Sequence, residues 1–212
     1  MNRRIVWQDK LVSALSQAAQ TLTTPPSPNR PSPAGKLPEP DLEPSDRLRS
    51  VALMRVNHAG EIAAQALYRG QAIVARSKKT RTQLLEAAEE EQDHLAWCAE
   101  RLVQLEGKPS RLDPFWYLGS FCIGVLAGGP GDPMSLGFVA ETERQVEAHI
   151  EDHLDRLPKT DTKSAAILKR MANDEAHHGT TARLAGGTDL PAPVRFIMAC
   201  GGGILRRVAF WV

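Results

Sequence analysis

The chain has 212 residues, with 26 Lys and Arg against 25 Asp and Glu, a formal net charge of +1. That length holds one domain, or one domain and a tail. The balance of charge excludes a strongly basic nucleic-acid binder and an acidic solvating protein. Aromatic residues make up only 5% of a chain that is 42% apolar and 24% charged. A core short of aromatics and rich in Ala and aliphatic residues suits packed helices better than sheets. Cys98, Cys122 and Cys200 are odd in number and form no CxxC pair. A disulfide framework or zinc knuckle is therefore not expected, and a reducing compartment fits. Residues 1–22 carry Arg3 and Arg4 but no sustained apolar run, so no secretory signal is read there. No stretch reaches the roughly 18 apolar residues of a spanning helix.

In chain order, Ile5, Leu11, Leu15, Ala18 and Leu22 outline one short amphipathic helix. Eight of the 15 prolines follow between Pro25 and Pro44. This run lacks both backbone donors and apolar periodicity, so residues 1–44 read as an N-terminal segment ending in a disordered linker. The domain is then 45–212. Its first helix is expected over 45–77, with Ser45 as the capping residue. The second covers 80–106 and stops at Gly107, with Pro109 beyond. The third covers 133–157 and the fourth 160–184, before Gly186 and Gly187. All are rich in good helix formers, and together they predict an all-α four-helix bundle.

Two apolar, Gly-interrupted segments, 114–130 and 190–212, are additional to a plain bundle. The second mixes Arg195, Arg206 and Arg207 with Phe196, Ile197, Phe210 and Trp211. That mixture suits a short helix lying in a membrane interface, with bundle cover or a subunit contact as the alternative.

The chemistry resides in a repeated pattern. Glu91 and His94 form an E-x-x-H on the second helix, and Glu175 and His178 repeat it on the fourth. At about 3.6 residues per turn, positions i and i+3 share one face, so both side chains reach one centre. Glu61 precedes the first motif and Glu143 the second, at nearly the same distance. Each acid sits on the apolar stripe of its helix, among residues such as Met54, Cys98, Ile150 and Met171. Four converging buried carboxylates need cations. Two divalent metals would neutralise them and leave His94 and His178 as neutral donors. A set rich in carboxylate and free of thiolate suits iron or manganese over zinc, and O2 activation is the chemistry it serves.

Glu90 and Asp174 each precede a candidate ligand. They are expected to bond the imidazole of the facing helix, Asp174 to His94 and Glu90 to His178. Glu147 is an additional candidate ligand or proton carrier, and His58 a candidate neighbour of the centre. His149, His153 and His177 fall off the ligand faces, with the surface as their default. Tyr68, two turns from Glu61, is the one aromatic singled out to probe. No nucleotide-binding fingerprint is present, so electrons must come from outside. Iron storage or detoxification by a ferritin-like protein, a peroxide-consuming di-metal enzyme and a metal-free helical module remain open on the residues alone.

The segments RVNHAGEIAAQALYRGQ (55–71), EEEQDHLAW (89–97), ETERQVEAH (141–149) and NDEAHH (173–178) resemble the demethoxyubiquinone hydroxylases of ubiquinone biosynthesis. The resemblance covers 45–212. It implies a di-iron monooxygenase with ligands Glu61, Glu91, His94, Glu143, Glu175 and His178. It implies O2 as co-substrate and an external reductant, NADH among the candidates. A polyprenyl quinol would be the substrate, its ring hydroxylated while its tail keeps to the short apolar segments. The implied location is peripheral, on the cytoplasmic face of the inner membrane. A homo-oligomer or contact with other proteins of ubiquinone biosynthesis stays open, and no nucleic-acid partner is expected.

Overall fold

A computed structural model describes residues 7–212, and among them there are seven helices and no strand. They are α1 (Trp7–Thr23), α2 (Pro44–Val74), α3 (Lys78–Gln104), α4 (Asp113–Gly128), α5 (Asp132–Arg156), α6 (Thr162–Leu184) and α7 (Ala192–Ala209). The four predicted bundle helices are α2, α3, α5 and α6. Helix α2 pairs with α3 and α5 with α6, and the two hairpins meet through α3 with α6 and α2 with α5.

The ends show what the local sequence decides. Pro44 occupies the first turn of α2 and Glu43 is its cap residue, with no side-chain bond. The expected Ser45 cap is thus displaced, because a proline that needs no N–H partner already opens the helix. Ser77 caps α3 by accepting from the Thr80 N–H, and Asp161 caps α6 by accepting from the Ser164 N–H. Helix α3 ends at Gln104, two residues short of the expected 106. Glu106 takes the left-handed turn at φ 59°, and the Gly107 N–H bonds the Leu102 carbonyl at 2.8 Å. Gly107 serves close packing instead, since a Cβ there would lie 2.7 Å from Val51 Cγ1.

Both extra apolar segments are helical, as expected. Helix α4 runs alongside α2 in the same direction, from Asp113 beside His58 to Gly128 beside Val74, and glycines set how near it comes. A Cβ on Gly124 would overlap the Leu67 carbonyl, and one on Gly70 the Phe121 carbonyl. The C-terminal end of α7 meets the start of α4 over α2, where Trp116, Leu205 and Phe210 cover Val56, Ala59 and Ala209. No helix among the described residues is long and apolar enough to cross a membrane.

The N-terminal helix exists and lays Ala18 and Leu22 on Ile62, Ala66, Leu95 and Tyr117. Leu15, expected on its apolar face, is exposed, and Ala14 is buried instead. Ile5 and the Leu11 side chain lie outside the described residues. The Pro-rich run forms no helix or strand, but it is not a free linker. Ala34 and Leu42 are buried in the main core, and Glu39 accepts from Arg101 at 2.7 Å and Lys163 at 2.8 Å. Proline costs this run its backbone donors, yet it also lowers the entropy lost on laying an extended chain onto a surface.

The core is layered along the bundle axis. One layer contains Met54, Cys98, Ile150 and Met171, and the other contains Tyr68, Leu84, Ala140 and Ala182. Each layer draws on all four bundle helices. Between them lie the four glutamates.

Candidate metal centre

Glu61 sits midway along α2, Glu91 and His94 on α3, Glu143 on α5, and Glu175 and His178 on α6. All six turn inward, and none is more than 8% exposed. They form two overlapping groups, Glu61, Glu91, His94 and Glu175, and Glu91, Glu143, Glu175 and His178. Within each group one ligand atom per residue lies within 4.8 Å of all the others. Glu91 and Glu175 belong to both. The structure therefore brings together all six residues that the spacing singled out. Glu147 is in neither group.

The electrostatics are those of a site short of positive charge. Burial holds the Glu61 carboxyl well above the usual carboxylate range, a bond from His94 opposes the rise and the charge of Glu91 reinforces it. Burial and the charges of Glu175 and Glu91 raise Glu143 as well. Burial works against the charged form of Glu91 too, but bonds from His178 and His94 overcome it and hold that carboxyl low. Burial alone would lower both imidazoles. Instead, bonds to Asp174, Glu175, Glu61 and Glu91 raise His94 well above its ordinary value, and Glu175 and Glu91 push His178 up to about 12. Protons on carboxyls and imidazoles thus stand in for cations.

Even so, the balance is incomplete. Glu91 Oε1, both Glu175 carboxylate oxygens and His178 Nδ1 are buried and face one another or His94 at 3.0–3.5 Å, but none of these contacts has the geometry of a hydrogen bond. Buried unpaired acceptors of this kind are costly, and they aim into the space shared by the two groups. Divalent cations satisfy them, so the residues fit a metal centre. Carboxylate and imidazole donors without a thiolate suit iron or manganese.

The outer contacts are those expected from sequence. His94 Nε2 lies 3.1 Å from Asp174 Oδ2, which leaves Nδ1 3.0 Å from both Glu91 and Glu175. His178 Nε2 lies 2.5 Å from Glu90 Oε2, with Nδ1 turned to Glu91 and Glu175. Each acid thus fixes an imidazole with Nδ1 inward. The Tyr68 hydroxyl, fully buried, donates to Glu143.

Other histidines divide. His177 is exposed, as expected. His58 is buried facing Asp113 on α4 at 3.4 Å, outside both groups. His153 does not take its default surface position: it is buried, and its Nδ1 lies 3.1 Å from the Asn57 amide nitrogen. Its ring packs edge-on to His149, which is only partly exposed. Sequence reasoning missed Asp93 and Arg30. Asp93 is buried beside His94 and accepts from the Asn29 N–H and from Arg30, both at 2.5 Å. No local signal marks Arg30, because its partners lie 63 and 144 residues away.

A family model described as ubiquinone biosynthesis protein COQ7 matches residues 49–205. The chain belongs to this family. The 3-demethoxyubiquinol 3-hydroxylase of Xanthomonas axonopodis pv. citri is 50% identical over 202 residues, covering 95% of this chain and 93% of its own length. The protein of that name from Nitrosospira multiformis is 50% identical over 204 residues, covering 96% and 98%. That from Ralstonia pickettii reaches 57% over 169 residues, covering 80% and 78%. Among solved structures, a dodecameric thioferritin, the bacterioferritin-related protein of Bacteroides fragilis, superposes with a TM-score of 0.53 at 20% identity. The match covers 63% of this chain and 82% of that one. The fold is ferritin-like.

Proposed function

We propose that the protein is a 3-demethoxyubiquinol 3-hydroxylase, a di-iron monooxygenase of ubiquinone biosynthesis. The observation that carries this reading is half identity over 95% of the chain to a hydroxylase of that name, and the buried cage supplies the means. Glu61, Glu91, His94, Glu143, Glu175 and His178 would hold two iron ions, with Glu91 and Glu175 shared between them. When bound, the irons supply the redox chemistry of O2 activation, with electrons from an external reductant such as NADH.

The remaining tasks fall to the chain. Asp174 and Glu90 keep both imidazoles turned inward. Putting one oxygen atom of O2 on the ring and releasing the other as water requires two electrons and two protons. Tyr68 holds a proton at its hydroxyl against Glu143. Glu90, with its side chain 56% exposed, joins buried His178 to solvent. The two apolar layers keep bulk water from the carboxylates.

The substrate's polyprenyl tail needs an apolar surface. Phe115, Leu118, Ile123 and Leu126 of α4 are exposed, as are Phe196, Ile197 and Ile204 of α7 and Trp211 beyond it. With Arg195, Arg206 and Arg207 nearby, this face supports peripheral contact with the cytoplasmic side of the inner membrane.

The deciding experiment is the quinone profile, by mass spectrometry, of cells lacking the gene, rescued with wild type or Glu175→Ala. The expected result is accumulation of the demethoxy quinone, cured by wild type and not by the variant. A normal ubiquinone profile in the deleted strain overturns the hydroxylase reading.

A further inference from the structure

The segment between α1 and α2 lies across one side of the carboxylate cage, and Arg30 is its point of contact. Its guanidinium Nε bonds Asp93 at 2.5 Å, and Nη1 bonds Asp174 at 2.9 Å. Nη2 lies 3.5 Å from His94 Nε2. The guanidinium sits 5.0 Å above the Trp97 ring, and the Trp97 indole N–H donates to the Arg30 carbonyl at 3.2 Å. The neighbouring Asn29 N–H also holds Asp93. One side chain thus engages two acids, one on α3 and one on α6, the helices that carry the two E-x-x-H motifs.

Asp174 is the acid that fixes His94. Its other cation is Arg170, at 3.2 Å and half exposed. Solvent screens that contact, and the side chain is free to leave it. Arg30 is restrained on three sides, by Asp93, by Trp97 and by its own backbone bonds. A forked guanidinium holds a carboxylate in orientation as well as in place. His178 has no matching device: its acid, Glu90, is exposed and accepts from no Arg or Lys among the described residues.

We propose that Arg30 is a positioning residue of the metal centre: by clamping Asp174 to Asp93 it holds the His94 imidazole ready for its metal, so that the Pro-rich segment governs how firmly that metal is kept. This rests on the metal reading above. The contribution is to retention and not to the reaction itself, because Arg30 touches no candidate ligand except through the far nitrogen of His94.

The test is ferrous iron release from the full chain, loaded anaerobically and challenged with a ferrous chelator. Wild type, Arg30→Met, Arg30→Lys, Asp174→Asn and the double variant Arg30→Met/Asp174→Asn are compared. Outer contacts of metal-bound histidines typically contribute 10- to 100-fold in affinity. Arg30→Met is expected to speed release of one of the two ions about 10-fold. Arg30→Lys should recover part of that, since it keeps the charge and loses the fork. In the double variant Arg30→Met should add less than about twofold to Asp174→Asn, because Arg30 acts through Asp174. Wild-type release rates in Arg30→Met, or effects that multiply in the double variant, overturn the proposal. Should Arg30→Met fail to fold, Arg30→Gln, which keeps a donor for Asp93, is read against the same outcomes. If the wild-type chain holds no iron, the metal reading falls and this proposal with it. If wild type holds iron and the Arg30 variants match it, only this proposal falls.

Discussion

The two halves of the cage are built on the same plan and finished differently. Each takes a glutamate from one helix and an E-x-x-H from the next, and each turns its histidine inward through an acid on the facing E-x-x-H helix. On one side His94 is fully buried, and its acid, Asp174, is itself held by cations. On the other side His178 retains some exposure, and its acid is 56% exposed. The repeated motif therefore guarantees two sets of donors but not two equal sites. Permanence comes from what surrounds a ligand, and here only one histidine is walled in.

Breaking the shared carboxylates should have the largest effect, because it removes what the halves have in common. Glu91→Ala is expected to reduce bound iron from about two ions per chain to near zero, measured by metal analysis after anaerobic loading. Retention of one ion would show that the groups are independent. Below this comes the contrast between the outer acids. Iron release from wild type should be biphasic, with the slow phase belonging to His94. Asp174→Asn should speed the slow phase about 10- to 100-fold, whereas Glu90→Gln should change the fast phase by less than about 10-fold, since an exposed charged contact is weaker. Equal effects of the two variants would erase the asymmetry.

The smallest effect is a control on acid sensitivity. Burial and Arg156 push His153 down to about 4, and Arg206 acts in the same sense against the opposing charge of Asp152. With His149 at its edge and Asn57 at its Nδ1, the ring is held neutral. The unfolded chain takes up a proton near pH 6.5 that the folded chain refuses, so stability falls as pH drops through that window. The difference in urea stability between metal-free wild type and His153→Gln should shift by about 1 kcal/mol in the variant's favour between about pH 6.5 and 5.5, because the other histidines titrate alike in both proteins. This acid limb arises outside both metal groups, so it can be subtracted from any pH effect on iron retention.

The bundle and its centre were legible because they depend on local periodicity. An E-x-x-H fixes two candidate ligands relative to each other, and the apolar stripe fixes which way they point. Even the crossed contacts of Glu90 and Asp174 could be read, since each neighbours a ligand on its own helix. What escaped depends on distant partners. Nothing near Arg30 announces Asp93 or Asp174, and proline content alone suggests a loose linker where Ala34 and Leu42 are in fact buried. His153 escaped for a similar reason. Its place on the helical wheel of α5 is correct, but α2 supplies Asn57 to cover it. Ser45 falls inside the first turn instead of capping it, because Pro44, whose ring presets the helical φ, already opens the helix behind Glu43.

The glycine contacts between α2 and α4 have a mechanical consequence. With Gly70 and Gly124 seated against carbonyls of the opposite helix, no side chain separates the two backbones that could be swung aside or compressed. Helices α2 and α4 therefore move as one stiff beam, and Glu61 is fixed to that beam. Helix α7 is jointed differently. A side chain on Gly201 would meet nothing within 4 Å, and one on Gly203 only Arg206, at 3.9 Å. The close backbone seat is therefore on the α4 side of α2, whereas α7 rests on α2 through side chains such as Leu205.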